Sequence, residues 1–341
     1  MTLNVNQPLF TGFQLLTAHQ KAILQKEQVQ SQIRNAEVLL TLAIQEAFLG
    51  LLQARDAVKS AEDSHTRLKE HLKVNSAFYD VGLRPKLDVL QAEVDVATAE
   101  QYLVAARNVE ETQVARLNAL LGRNVNAATV YEGALEYRPL ILTLEECLQR
   151  AAANRPDLII AQQAVSLAEK DVTLAKAPYY PQVSADFNYA REGEDPMVHG
   201  GDYHTPSAWN AQVGMKWTFF EWGKTHYEQK QAEKNVSRLE QEYLNLQNQA
   251  AFEVKQNYLA IKEAEKRISS AKTALIAAKE SLRMAKARYE AQVGTNSDVL
   301  DALASQTQSE ASLTNNMADY EVAVARLYVA MGAKNPELIT Q

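Results

Sequence analysis

Residues 289–301 read Tyr-Glu-Ala-Gln-Val-Gly-Thr-Asn-Ser-Asp-Val-Leu-Asp, a polar turn between two long segments rich in Ala, Leu, Glu and Lys. The same plan occurs 210 positions earlier, where residues 79–90 read Tyr-Asp-Val-Gly-Leu-Arg-Pro-Lys-Leu-Asp-Val-Leu. The copies agree as far as Gly122 and Gly332, except that Val-Gly comes two positions later in the second copy. We interpret this difference as an insertion of Ala291-Gln292 before Val-Gly and a loss of two residues after it. Agreement at one fixed spacing predicts a duplicated structural unit.

Each copy is predicted to contain a strand, a very long helix, a turn and a second helix. Between Phe13 and Phe78 there is no proline, and Gly50 is the only glycine. A single helix over that segment would be about 100 Å long at 1.5 Å per residue. Few globular domains accommodate such a rod.

Apolar residues recur in the second copy at a spacing that alternates between three and four, which is typical of helices packed as in a left-handed coiled coil. This seam comprises Ile261, Ala264, Ile268, Ala271, Leu275, Ala278, Leu282, Ala285 and Tyr289. The matching seam of the first copy ends at Tyr79 and is interrupted by His65 and Asn75. We interpret these two polar residues as setters of helix register.

We divide the chain into two repeats. Residues 1–141 hold a strand, a helical hairpin and an irregular segment, and residues 142–341 hold a helix, a β-hairpin, a helical hairpin and a tail. The second repeat has a helix and a strand, over 142–177 and 181–189, that the first repeat lacks. We therefore expect the chain to begin partway through a repeat, with any export signal lying upstream of residue 1.

Alternating apolar and polar residues over 209–219 predict a strand with two different faces. Its length matches the ~9–11 residues of a tilted transmembrane strand. All three tryptophans, Trp209, Trp217 and Trp222, lie in or beside it, as at a membrane interface. A sandwich strand would show the same alternation, but here the strands lead into long helices. A lipid-facing sheet has to close into a barrel, so we expect several chains to contribute strands.

Bulk composition excludes several classes of function. The net charge is −7 and the basic residues do not cluster, which argues against nucleic-acid binding. Cys147 is the only cysteine, so a disulfide framework and a thiolate metal cage are excluded, and we expect a buried inert thiol. His199, Asp202 and His204 lie close in a predicted loop, without a convincing further metal ligand. The sequence also contains no recognised catalytic motif, so we expect no enzyme activity, cofactor or metal.

The strand-to-helix junctions and the turns resemble those of the outer-membrane efflux protein (TolC) family. The residues that carry the resemblance are Pro8 to Gly12, Phe219 to Gly223, the two turns quoted above, and Pro181-Gln182-Val183. The resemblance covers nearly the whole chain, without the family's N-terminal helix and first β-strand. It implies a mainly α fold with transmembrane β-strands. The duplicated strand and hairpin units would form a homotrimeric β-barrel and a periplasmic α-helical barrel, with residues 123–145 and the C-terminal tail in an equatorial belt.

The resemblance also implies a function and its site. The chain would be the outer-membrane exit duct of a tripartite efflux or type I secretion system, working with a periplasmic adaptor, an inner-membrane pump and outer-membrane lipid. The adaptor would dock on the tips of the two hairpins. These tips are Val81, Gly82 and Leu83 in the first copy, and Val293, Gly294 and Thr295 in the second.

Aspartates beyond the tips would ring the channel entrance as a gate; they are Asp298, Asp301 and, in the first copy, Asp88. Asp298 has a second interpretation, as a cap of the following helix. Both turn glycines are also expected to serve the turn conformation. Two rival functions remain at this point: a soluble coiled-coil scaffold, and the periplasmic adaptor subunit itself.

Overall fold

A computed structural model describes residues 1–191 and 207–334. In chain order these residues form β1 (Thr2–Thr11), α1 (Gln14–Asp80), α2 (Lys86–Leu120), α3 (Leu144–Asn154), α4 (Pro156–Lys176), β2 (Gln182–Arg191), β3 (Ser207–Lys216), α5 (Lys224–Glu290) and α6 (Asn296–Ala330). A short 3₁₀ turn, Ala177–Tyr179, follows α4. His199, Asp202 and His204 lie outside the described residues.

The helices confirm the duplication and correct its alignment. Helices α1 and α5 each have 67 residues, and α2 and α6 each have 35. Adding 210 to either end of α1 or α2 gives the matching end of α5 or α6, so the two turns also have equal lengths. Equal lengths agree with an insertion of Ala291-Gln292 that is balanced by the loss of two residues, but the backbone geometry aligns Gly82 with Gln292 and not with Gly294. The Val-Gly pair simply occupies different places in two turns of the same size.

The three strands form one antiparallel sheet in the order β1-β2-β3. Register places Val5 beside Phe187, and Phe187 beside Ala211, on one face of the sheet. Asn4 and Asn188 pair on the other face, and Asn188 pairs in turn with Asn210 of β3. Because side chains alternate along a strand, the sheet has one mainly apolar and one polar face. The alternation predicted for both faces is confirmed.

Strand β3 begins and ends earlier than the sequence pattern predicts. It runs over Ser207–Lys216 rather than 209–219, so Trp217 and Phe219 follow the strand. Its last pair is Lys216 with Gln182, the first residue of β2. Pro181 precedes that pair and has no N–H to donate to a further ladder bond, so pairing stops there.

The chain forms two compact units, each of which draws on both sequence repeats. The first unit comprises Met1–Arg34 and Pro156–Asn248 and holds the sheet. An ion pair joins Lys21 of α1 to Asp171 of α4 within it. The second unit comprises Asn35–Arg155 and Gln249–Gln341. The division of the sequence into repeats at residue 141 stays a prediction.

The second unit has a core in which α3 packs with α5 and α6. Its fully or largely buried members are Cys147, Ala151, Val254, Ile261, Ala264, Ile268, Tyr320, Ala323, Val324, Leu327, Ala330 and Met331. Helix α3 begins with a capping box in which Thr143 and Glu146 exchange hydrogen bonds. Arg155, at its end, pairs with Glu253 at 2.7 Å. The thiol of Cys147 is buried as expected, and burial raises its pKa.

The predicted seam of α5 is buried from Ile261 to Tyr289, with Leu275 and Ala285 partly exposed. The first copy departs from it at its end. Tyr79 is 43% exposed, whereas Tyr289 is 2% exposed. In place of Tyr79, the polar side chains of His71 and Asn75 are buried at this level of α1. At the end of α1, residues of the first copy therefore do not pack in the way that their equivalents in the second copy do.

Helix α1 contains an 18-residue window whose mean hydropathy of 1.4 and low charge would allow it to cross a membrane by composition, and a third of that window is buried.

Candidate functional site: the two helical tips

Two turns in the second unit connect the long helices to the helices that follow them. We call residues 81–85 the first tip and residues 291–295 the second tip. Tyr79 and Tyr289 occupy equivalent positions before the two turns. The third residue after each tyrosine has left-handed backbone geometry: Gly82 at φ 75° and Gln292 at φ 63°. Both residues donate their N–H to that tyrosine's carbonyl, Gly82 to Tyr79 at 2.9 Å and Gln292 to Tyr289 at 3.0 Å.

The two glycines singled out in the sequence have different roles. Gly82 has φ in the region that favours glycine, and a Cβ there would meet nothing within 4 Å. Gly294 is buried and has no left-handed φ, but a Cβ would come within 3.1 Å of the Cβ of Arg288 and of the backbone N of Tyr289. The prediction of a turn glycine holds for Gly82 by conformation. At Gly294 glycine suits close packing on the end of α5, where a Cβ would need its neighbours to move by a few tenths of an ångström.

Apolar side chains point outward from the tips. Val81 is 68% exposed, Leu83 is 51% exposed and Val293 is 69% exposed. The charged residue between them, Arg84, is half-buried. Large apolar side chains left in water at the end of a helical hairpin are suited to contact with a partner protein.

A buried polar network lies beneath the tips and joins all four long helices of the second unit. Tyr289 of α5 donates its hydroxyl hydrogen to Oδ1 of Asn75 on α1. Asn75 Nδ2 donates to Oδ1 of Asn296 on α6 at 2.9 Å, and Nε2 of His71 lies 2.7 Å from the same oxygen. Asn296 in turn donates to Oε1 of Gln91 on α2 at 3.2 Å.

Asn75 is buried and bonded to residues of α5 and α6, and its role in setting helix register stays a prediction. Sequence reasoning missed His71 and Asn296. The available signal was the i,i+4 spacing of His71 and Asn75, which places both on one face of α1. Burial lowers the pKa of His71, and the nearby Lys286 acts in the same direction, while the bond to Asn296 and the carboxylates of Asp95 and Asp88 oppose it. Burial thus favours the neutral form of His71 in this network.

The aspartates predicted at the entrance occupy matched places. Asp88 and Asp298 are each the third residue of their helices, α2 and α6, so their spacing from the tip is the same. Asp298 forms a capping box with Thr295: its Oδ2 accepts from the Thr295 N–H at 2.9 Å, and its own N–H donates to Thr295 Oγ1 at 3.1 Å. This bond to the Thr295 backbone lowers the pKa of Asp298. The capping interpretation is thus confirmed, with Thr295 as the N-cap residue.

Asp301 faces a groove of about 540 Å³ between the first turns of α2 and α6. The groove is lined by Leu87, Leu90, Gln91, Val94, Asp95, Ser297, Leu300 and Asp301. Asp298 and Asp301 are both exposed, and Asp88 is half-buried. The first turns of α6 therefore present two solvent-facing carboxylates, those of Asp298 and Asp301. In the first copy, Gln91 occupies the position equivalent to Asp301.

The tryptophans belong to the first unit. Trp209 lies in β3 and stacks on Phe187 of β2 with ring centres 6.5 Å apart. Trp217 follows the strand and donates its indole N–H to the carbonyl of Tyr179 at 3.3 Å. Trp222 stands in the junction before α5 and is 90% exposed. Exposed indole rings at a strand end are typical of a membrane interface.

Comparison with known protein families matches this chain to "Outer membrane efflux protein" over residues 1–123 and 147–333. The chain belongs to the outer membrane efflux protein family. An outer membrane efflux protein is a channel component of the outer membrane that extends into the periplasm, and this family places the chain there.

Relatives of this efflux protein cover most of its length. The alkaline protease secretion protein AprF of Pseudomonas aeruginosa is 23% identical over 341 residues, covering 96% of this chain and 68% of AprF. The outer membrane protein TolC of Vibrio cholerae is 23% identical over 348 residues, covering 97% of this chain and 76% of TolC. Among solved structures, the outer membrane protein VceC of Vibrio cholerae has a TM-score of 0.84 at 20% identity, covering 98% of this chain and 79% of VceC. That likeness confirms the predicted fold class.

Proposed function

We propose that this efflux protein is the exit duct of a tripartite efflux or type I secretion system. It would pass small molecules or proteins from a periplasm-spanning tunnel to the outside, and its partners would be a periplasmic adaptor and an inner-membrane pump. It acts as a conduit and not as an enzyme. The observation that carries the proposal is the pair of tips with exposed apolar side chains, in a chain whose family is an outer-membrane efflux family.

A homotrimer is part of the same proposal, and the open edges of the sheet support assembly from several copies. Strands β1 and β3 are at the two edges of a three-stranded sheet, and each leaves one row of backbone groups without a strand partner among the described residues. Backbone groups within a lipid bilayer need such partners, so edge strands from other copies would complete a barrel. The apolar face of the sheet would contact lipid, with Trp209, Trp217 and Trp222 at the interface.

We assign docking of the periplasmic adaptor to the two tips. Val81, Gly82 and Leu83, together with Val293, Gly294 and Thr295, would form the surface for the adaptor. Asp298, Asp301 and Asp88 would stand at the entrance, where a ring of carboxylates favours cations. The rival functions account for less: the family match does not extend to a soluble coiled-coil scaffold, and it is to the channel and not to the adaptor.

A photo-cross-linking experiment in cells tests the proposal. The full-length protein is expressed in a Gram-negative host with a photoreactive phenylalanine analogue in place of Val293, which is 69% exposed. We expect the detergent-extracted complex to have a mass near three times that of one protein chain. We also expect light to join it to a periplasmic adaptor identified by mass spectrometry.

The matched control places the same analogue at Ile276, an exposed apolar residue of α5 that lies about four helical turns before the second tip, where no adaptor should be captured. Equal capture from both positions, or a monomer extracted without detergent, would contradict the proposal.

A further inference from the structure

Arg84 belongs to the first tip, but its guanidinium contacts the second one. Nη2 of Arg84 donates a hydrogen bond to the carbonyl oxygen of Gly294 at 2.9 Å. Its Cζ lies 4.6 Å from the centre of the Tyr289 ring. A planar guanidinium can stack on an aromatic ring while it donates hydrogen bonds in its own plane.

We propose that Arg84 is a positioning residue that holds the second tip against the first, so that the two turns form one composite docking surface. The docking part of this inference rests on the proposed function. The contact of Arg84 with Gly294 and Tyr289 does not depend on the proposed function.

The second tip is strained at a position where the first tip is not. The N–H groups of Val293 and Gly294 both donate to the carbonyl of Arg288, each at 3.0 Å. The bond from Val293 is equivalent to that from Leu83 to Phe78 in the first tip, so the difference between the turns lies in the backbone conformation. Gln292, the residue before them, adopts a left-handed φ without being glycine. The Arg84 bond adds a charged donor to this turn, and such bonds are stronger than neutral ones.

The first tip has its own constraints. Gly82 takes the left-handed position without strain, and Leu83 donates to Phe78 at 2.9 Å. Pro85 has a fixed φ and leads directly into α2. Arg84 therefore extends from the turn with a glycine at the left-handed position to the turn with Gln292 there.

The ring on which Arg84 stacks is firmly held. Tyr289 is buried, and its hydroxyl hydrogen goes to Asn75, which is itself bonded to Asn296. Nε of Arg84 is buried and has no hydrogen-bond acceptor in the part of the chain that the structure describes. Arg84 therefore holds the second tip through its Nη2 hydrogen bond and its stacking contact with the Tyr289 ring together.

Amide hydrogen exchange in the intact protein tests the positioning role. Arg84→Ala should raise the exchange rate of the peptide covering residues 289–296 by about ten-fold, the factor expected for loss of one charge-assisted hydrogen bond. The affected peptide is more than 200 positions away in the sequence from the substitution. Arg84→Lys keeps the charge and one donor but not the planar fork, so its effect should be intermediate.

Two controls separate positioning from general loss of stability. Arg123→Ala removes an exposed arginine near the far end of α2 and should leave exchange in residues 289–296 unchanged. In Arg84→Ala, residues 68–77 of α1 should keep their wild-type exchange, because the network there lacks direct contact with Arg84. Unchanged exchange in residues 289–296, or an equal rise in both peptides, would overturn the inference.

The docking consequence is measured separately. Photo-cross-linking of the adaptor from Val293 should fall several-fold in Arg84→Ala while the trimer remains, and Arg84→Lys should restore part of it. If Arg84→Ala changes exchange but leaves the cross-link yield at the wild-type level, the composite docking surface is wrong. If the wild-type protein gives no adaptor cross-link from Val293, the proposed function fails instead, and the exchange result still decides the positioning role of Arg84.

Discussion

At the scale of single residues, the two tips solve the same backbone problem with different side chains. The left-handed position is Gly82 in the first tip and Gln292 in the second. Left-handed geometry costs a residue with a Cβ roughly 1–2 kcal/mol, a penalty that glycine avoids. The sequence places a glycine two positions later, at Gly294, where space is limiting and conformation is not.

This difference leads to a prediction for Gln292→Gly. The substitution relieves the strained φ, but it also gives the unfolded chain more freedom. We expect a net gain of about 0.5–1 kcal/mol in the stability of the second tip. Thermal unfolding of the detergent-extracted protein would measure it. The reciprocal change, Gly82→Gln, should lower the unfolding temperature, and a stabilising Gly82→Gln would contradict this account of the turns.

At the scale of elements, helices α2 and α6 begin at equivalent places but with different caps. Thr295 caps α6 in a full capping box with Asp298, whereas Pro85 precedes α2 without any side-chain cap. Because the bond to Thr295 lowers the pKa of Asp298, the contribution of this box is complete above the pKa of an unfolded aspartate. It is lost as pH falls through the lower folded pKa. The box is therefore intact at neutral pH.

Asp298→Asn separates the capping role from the gate role. An asparagine oxygen can still accept from the Thr295 N–H, so helix α6 keeps its cap while the charge is lost. We expect the reversal potential of channels in a planar bilayer to show reduced cation selectivity, and Asp301→Asn to act in the same direction. The matched control is Asp63→Asn, an exposed aspartate of α1, which should leave selectivity as it is. Wild-type selectivity in both entrance variants would refute the gate assignment.

At the scale of the whole molecule, the two compact units have different kinds of interior. The first unit carries an amphipathic sheet, and the second carries a helical core with a polar network beneath the tips. In this network the donors and acceptors of Asn75, Asn296 and Tyr289 are matched to one another. Such a network favours one arrangement of the four helices, because any shift would leave buried groups without partners.

The network makes the stability of the second unit depend on pH. Since burial lowers the pKa of His71, the unfolded chain binds a proton more readily than the folded one. Stability should therefore be complete above the ordinary histidine pKa and decline as pH falls below about 6.5. Thermal unfolding between pH 7.5 and pH 5 should show this decline, and His71→Gln should flatten it. An identical pH profile in His71→Gln would contradict the role of His71.

Much of this architecture could be predicted from the sequence because it depends on local periodicity and on repetition. The ends of α5 at Lys224 and Glu290, the break between α3 and α4 at Pro156, and the alternating strands all follow from local rules of helix and strand formation. The family resemblance, which depends on turn and junction motifs, was visible in the same way.

Tertiary structure alone decided which residues of the two tips are equivalent and how the tips are joined. The sequence alignment paired glycine with glycine, but hydrogen bonds at the helix ends pair Gly82 with Gln292. No pattern along the chain shows that Arg84 reaches Gly294, or that His71 and Asn296 share one buried site. Such contacts join residues more than 200 positions apart, and packing of the helices brings them together.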